Sequence, residues 1–292
     1  KEMRIQAENV SRVHSIYVVD DENRLKGRLS LKDLLTTSTK TQIGDIYIRK
    51  LNFVNVDTED VEVARIMQKY DLEAIPVVDE LGRLVGRITI DDILDVIKDE
   101  ADKDYQLAAG ITQDVESNDS VLELTKARLP WLLIGMVIEI VASFVLKGNE
   151  ATFQTYSTLI IFVPLLSATA GNIGVQASAI VVQGLANGTL KEFSRGYFTK
   201  EITVSMISGS IISLLLLGYH SVMYQQYLVG LAISISMMVV ILFAATLGTL
   251  VPLFLHKKKI DPAIATGPFI TTTNDVFGIM LYFTVAKLIL GF

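Results

Sequence analysis

Two stretches carry polar side chains where the surroundings are apolar: PLLSATAGNIGVQAS, from Pro164 to Ser178, and GPFITTTND, from Gly267 to Asp275. The second ends on a carboxylate, Asp275, after the hydroxyls of Thr271, Thr272 and Thr273 and the amide of Asn274. The first offers Asn172 between Gly171 and Gly174, with Gln176 close behind. Every ligand here is oxygen, which suits a hard cation and excludes soft-metal chemistry. The chain has no cysteine, and its three histidines, His14, His220 and His256, are far apart, so no zinc-peptidase HExxH motif exists. A carboxylate at membrane depth costs at least ~2.5 kcal/mol on insertion scales, so Asp275 is expected to face a watery path. A second reading stays open for its neighbours: glycines let helix backbones approach, and threonines bond their own i−4 carbonyls. Glu139, the other acid deep in an apolar run, reads either as functional or as a neutral carboxyl hydrogen-bonded to a neighbouring helix.

The elements that hold these residues follow from hydropathy. Half of the 292 residues are apolar, and from Leu129 onward charges are confined to short islands. Five spans are predicted, at Leu129–Leu146, Tyr156–Asn187, Lys200–Tyr219, Tyr227–Leu255 and Pro262–Leu290, each near or above the ~20 residues a bilayer requires. Pro164 with Gly171 and Gly174 is expected to break the second, and Gly267–Pro268 to loosen the fifth. Lys126 and Arg128, then Lys191, Arg195 and Lys200, then Lys257 to Lys259 alternate with the nearly uncharged KGNE and HSVMYQQ. The basic side is cytoplasmic by the usual charge bias, which puts the N-terminal part inside the cell and the C-terminus outside. An odd number of spans cannot form two equal halves, so a symmetric pathway is expected on the axis of a homodimer.

The N-terminal part is soluble and duplicated. VVDDENRLKGRLSLKDLL, from Val18, returns as VVDELGRLVGRITIDDIL, from Val77. Each copy reads as a strand, an Asp-containing turn, a second strand and a helix opened near Asp33 or Asp92. An amphipathic helix with Val61, Ala64 and Met67 on one face precedes the second copy. No room for its counterpart precedes the first, so the chain is expected to begin inside that module. Carboxylates gather toward the membrane half at Asp91, Asp92, Asp95, Asp99 and Asp102. They read either as a solvated face or as groups that a divalent cation would bridge. The net charge of −6 argues against nucleic acid as a partner. A helix capped near Asp119 is expected to lead into the first span.

The repeats GRLSLKD and GRITIDD resemble paired CBS domains, a Bateman module, over residues 1–101. That resemblance implies an adenine nucleotide, ATP or another, held by Ser30 with Asp33 and Thr89 with Asp92; the same side chains could equally cap the helices that follow. ARLPWL, PLLSATAGNIGVQAS and DPAIATGPFITTTNDVFG resemble the MgtE family of magnesium channels and transporters. The implied fold is an α+β cytoplasmic tandem CBS (Bateman) module, a connecting or plug helix at 102–128, and an all-α transmembrane domain of five helices at 129–292. The implied function is Mg²⁺ influx through a homodimer in the cell membrane, embedded in lipid, and no enzyme activity. Asp275 and Asn172 carry over as pore residues, with Gly171, Thr271 and Asn274 beside them. Asp91, Asp95, Asp99, Asp102 and Glu201 are the corresponding candidates for regulatory Mg²⁺ that closes the pore. Two other classes compete. A chloride channel would place its CBS pair after the spans, and a membrane-tethered nucleotide sensor would leave Asp275 unexplained.

Overall fold

A computed structural model describes residues 16–38, 40–190 and 193–291. The expected chain start, His14 and Lys191 lie outside the described residues. The chain divides into two compact units between Asp102 and Lys103.

In the first unit, β1 (Ile16–Val19) and β2 (Leu25–Leu29) form an antiparallel pair. β3 (Val54–Asn55), β4 (Ala74–Val78) and β5 (Leu84–Thr89) form a sheet in that order, β3 parallel and β5 antiparallel to β4. Among the described residues, four helices accompany them: α1 (Leu31–Thr36), α2 (Ile43–Ile46), α3 (Asp60–Lys69) and α4 (Ile90–Ala108). The sequence repeat is a structural one. Asp20 Oδ1 accepts from the N–H groups of Glu22 and Arg24 at 3.1 and 2.8 Å. Asp79 Oδ1 accepts from those of Leu81 and Arg83 at 3.0 and 2.9 Å. Such side-chain bonds fix a tight turn without help from tertiary packing. The two turns also join each other: the Leu25 N–H donates to Gly82 O and the Leu84 N–H to Asn23 O, both at 2.9 Å. Val54, Val63, Ala64, Met67, Ile75 and Ile93 make the core. On α3, Ala64 and Met67 face inward as the periodicity predicts, but Val63 joins them and Val61 stays half-exposed.

The second unit is helical: α5 (Val121–Gly148), α6 (Glu150–Thr155), α7 (Thr158–Ile161), α8 (Val163–Ala186), α9 (Arg195–Tyr224), α10 (Tyr227–Lys257) and α11 (Pro268–Leu290), with a 3₁₀ turn at Pro262–Ala265. Among the described residues, five of its helical segments are long and apolar enough to cross a membrane, α7 with α8 counting as one. α10 is the central one. Ile233, Met237, Val240, Ile241, Ala244 and Ala245 on it are fully buried, with α8, α9 and α11 packed around it. α5 by contrast exposes Leu132, Leu133, Met136, Val137, Ile140 and Phe144.

Three expectations change. The second span does not break at its glycines: α8 runs unbroken through Gly171 and Gly174, and Pro164 sits in its first turn, where the missing N–H has no carbonyl to lose. Gly267 and Pro268 do not loosen a helix either. They begin one, Gly267 at φ 50° and Pro268 at the first helical position, so the last span starts at Pro268 rather than Pro262. Residues 102–128 are not a single connecting helix but two helix ends joined by a turn. Gly110, at φ 79°, terminates α4. Ser120, one residue past the expected cap, starts α5 with a capping box: its Oγ accepts from the Glu123 N–H, and the Glu123 carboxylate accepts from the Ser120 N–H. Gln106 ties the turn down, its amide bonding both the N–H and the carbonyl of Val115 at 3.2 and 3.0 Å.

Candidate cation site

α5 and α11 pack along a register that three residue pairs define. The rings of Trp131 and Phe269 meet edge to face, with centroids 6.4 Å apart. A Cβ on Gly135 would lie 3.6 Å from Thr272 Cγ2. One turn further along both helices, the carboxyl groups of Glu139 and Asp275 come within hydrogen-bonding reach. The spacing on α5 is i, i+4, i+8, and the partners on α11 advance in the same direction, so the two helices run parallel here. Asp275 Oδ1 is buried and makes no hydrogen bond among the described residues. The sequence marks Glu139 as a deep acid but carries no signal for its partner, since the two residues are distant in the chain.

On the adjoining face, α11 packs on α8 through small residues. Gly171 is buried, and a Cβ there would meet Thr271 Cγ2 at 3.0 Å. At Gly174 a Cβ would collide with Asn274 Nδ2 and lie 2.6 Å from Ile270 Cγ2. Gly248 of α10 presses on the carbonyl of Gly174. Asn274 is fully buried, its Nδ2 donating to Ala170 O at 3.4 Å, while its Oδ1 has no partner among the described residues. The Thr271 and Thr272 hydroxyls bond the carbonyls of Gly267 and Pro268, each at 2.8 Å. Gly171, Thr271 and Asn274 thus form a helix seam, with Asp275 next to it.

Asn172, one residue from the seam, turns the other way. With Gln176, Tyr197, Lys200, Glu201, Ser205 and Ser208 it lines a cavity of about 430 Å³ between α8 and α9. The structure therefore brings Asn172 and Glu201 together, two residues that the sequence could not place relative to one another. Asp275 is not among the lining residues of that cavity.

The remaining candidates lie on the first unit and the helix that leaves it. Asp91, Asp95, Asp99 and Asp102 are exposed and follow one another at helical spacing, so they form one stripe along α4 opposite Ile90, Ile93 and Ile97. Among the described residues, no three His, Cys, Asp or Glu side chains converge on a point that could hold a metal ion. Thr89 and Asp92 do meet: Asp92 Oδ2 accepts from the Thr89 hydroxyl at 2.7 Å and from its N–H at 3.1 Å. Ser30 makes no side-chain cap to α1, so the first copy does not repeat this contact with Asp33.

At the base of α11, the turn that follows α4 is pressed against the start of that helix. A Cβ on Gly110 would lie 2.7 Å from Pro268 Cγ and 3.5 Å from Trp131 Cγ. Gly267 in turn sits on the carbonyl of Ala108. The contact is possible because both glycines lack a side chain, and it lies two turns below Asp275.

Residues 163–285 match the MgtE family, described as a divalent cation transporter, and residues 3–39 and 43–99 match the CBS domain. The chain is 36% identical over 99% of its length to the magnesium transporter MgtE of Thermus thermophilus, and 33% identical over 99% to that of Enterococcus faecalis. It spans 64% of the length of each of these relatives. A crystal structure of the cytosolic domain of the Mg²⁺ channel MgtE in complex with ATP matches 32% of this chain and 38% of its own, at 47% identity and a TM-score of 0.31. The chain thus carries two CBS matches followed, over the last four of its five long apolar helices, by an MgtE domain.

Proposed function

We propose that this chain, paired with a second copy, conducts Mg²⁺ across the cell membrane, with Asp275 as the carboxylate that the ion meets. The observation that carries the reading is Asp275 itself, an acid in mid-span beside Glu139 with a buried oxygen that finds no hydrogen bond among the described residues. The identity to magnesium transporters over nearly the whole chain supports the choice of ion. Mg²⁺ sheds water reluctantly, so the ion passes with much of its shell in place, and side-chain oxygens act through those waters. Asn172, in the cavity with Glu201, offers an amide to the ion's water shell at a separate point of the pathway. Gly171, Thr271 and Asn274 hold the seam that positions Asp275. No ATP is consumed: a divalent ion gains roughly 4.6 kcal/mol per 100 mV on moving to a negative interior.

In this reading residues 1–101 sense, 102–128 connect and 129–292 conduct, with the first part cytoplasmic and the C-terminus outside. Cytosolic Mg²⁺ binds between the α4 stripe, at Asp91, Asp95, Asp99 and Asp102, and carboxylates of other segments, and that closes the pathway; Glu201 closes with it. The turn that follows α4 presses on Gly267 and Pro268, so a movement of that turn would reach the base of α11. An adenine nucleotide binds at Thr89 with Asp92, and at Ser30 with Asp33. Growth rescue of a magnesium-starved strain tests the reading. The wild-type chain restores growth at low Mg²⁺, and Asp275→Ala at equal expression does not; rescue by that variant refutes the role of Asp275.

A further inference from the structure

The cytoplasm-facing end assigned to α10 carries a feature that ion conduction does not use. A cavity of about 740 Å³ opens there, walled by Phe193, Leu250, Leu253 and Phe254 and rimmed by His256, Lys257 and Lys259. Its inner wall continues into a small buried cluster of Val181, Leu185 and Leu253. Among the described residues no acidic side chain lines it, and neither Lys257 nor Lys259 takes part in an ion pair. Lysines in a last helical turn complement the helix dipole, and that alone needs no cavity. Here the charge borders an apolar hollow at the end of a membrane span, where hydrocarbon gives way to headgroups. Phe193 and Phe254, both more than half exposed, would face acyl chains on one side of the boundary. The ε-ammonium groups reach the level of phosphates on the other.

We propose that this cavity binds one anionic glycerophospholipid, its acyl chain against Phe193, Leu250 and Phe254 and its phosphate between Lys257 and Lys259. The argument for the occupant is charge complementarity. A zwitterionic lipid would bring its own cation to a rim that already holds two, and a free phosphate would leave the apolar wall wet.

The test uses the purified full chain in detergent, titrated with phosphatidylglycerol, phosphatidylcholine or inorganic phosphate. Bound lipid is read by native mass spectrometry and by the thermal unfolding midpoint. Phosphatidylglycerol is expected to bind and to raise the midpoint, while phosphatidylcholine and inorganic phosphate do neither. Each of Lys257→Gln and Lys259→Gln should weaken that binding about fivefold and the pair together about twenty-five-fold, at about 1 kcal/mol per lysine near a phosphate. The lipid-free midpoint of these surface variants should stay where it is, which separates lost binding from lost folding. Equal binding of the two lipids, binding of inorganic phosphate as tight as lipid, or an undiminished preference in the double variant would overturn the proposal.

Discussion

Glu139 and Asp275 lie side by side on parallel helices, held in register by Trp131 against Phe269 and Gly135 against Thr272. Two acids placed together in an apolar region repel unless something positive or a shared proton lies with them. A passing dication answers that need, and the second acid should strengthen its attraction. A unit charge about 5 Å from a hydrated dication is worth roughly 1–2 kcal/mol in a watery path, or about tenfold in affinity. Glu139→Gln is therefore expected to raise the Mg²⁺ concentration for half-maximal uptake about tenfold while the protein still assembles. An unchanged half-saturation would mean that Glu139 serves packing alone.

Gly174 is where three helices come closest. A methyl group there would run into Asn274 and Ile270, and overpacking of that kind typically costs about 1–3 kcal/mol. Gly174→Ala should lower the thermal unfolding midpoint by several degrees. Gly218, whose Cβ would meet nothing within 4 Å, supplies the contrast: Gly218→Ala should be neutral or slightly stabilising, since alanine favours helix. Equal midpoints for the two variants would contradict the seam.

The capping box at Ser120 fixes where the first span begins. Ser120→Ala removes the acceptor for the Glu123 N–H and should cost about 1 kcal/mol. Hydrogen exchange at the amides of residues 121–124 reports it directly, by a rise of about fivefold in that turn and none at mid-span.

Acid should loosen the first unit through its repeated turn. The Arg83 N–H and guanidinium bonded to Asp79 hold its carboxyl below the usual range, and Lys26, with the Arg24 N–H, does the same for Asp20. A lowered folded-state value means stabilisation that is complete above the unfolded value of about 3.9 and is lost as pH falls through the folded one. The stability gap between wild type and Asp79→Asn should be full at neutral pH and shrink steadily below about pH 4. A gap that widened with acid would have the wrong sign for this turn.

Much of the architecture was legible because it is periodic. The duplicated Asp turn has its own local hydrogen bonds, and apolar runs long enough to span a bilayer need no tertiary context to be recognised. The α4 stripe was equally visible, since Asp91, Asp95, Asp99 and Asp102 repeat at helical spacing. The breaks were misplaced because glycine and proline are ambiguous signals. Gly171 and Gly174 sit in a continuous helix whose lost propensity is offset by close packing, and Pro268 opens a helix instead of bending one. Nor could the sequence pair Glu139 with Asp275 or Asn172 with Glu201. Those neighbours depend on interhelical register, which side chains such as Trp131 and Thr272 set only once the helices have packed.

Mg²⁺ entry into sealed proteoliposomes, followed with an internal Mg²⁺-sensitive dye under an inward gradient, bears on the central claim most directly. Wild type should admit Mg²⁺ and Asp275→Asn, reconstituted in equal amount and the same oligomeric state, should admit almost none. Influx through Asp275→Asn at the wild-type rate would contradict the account.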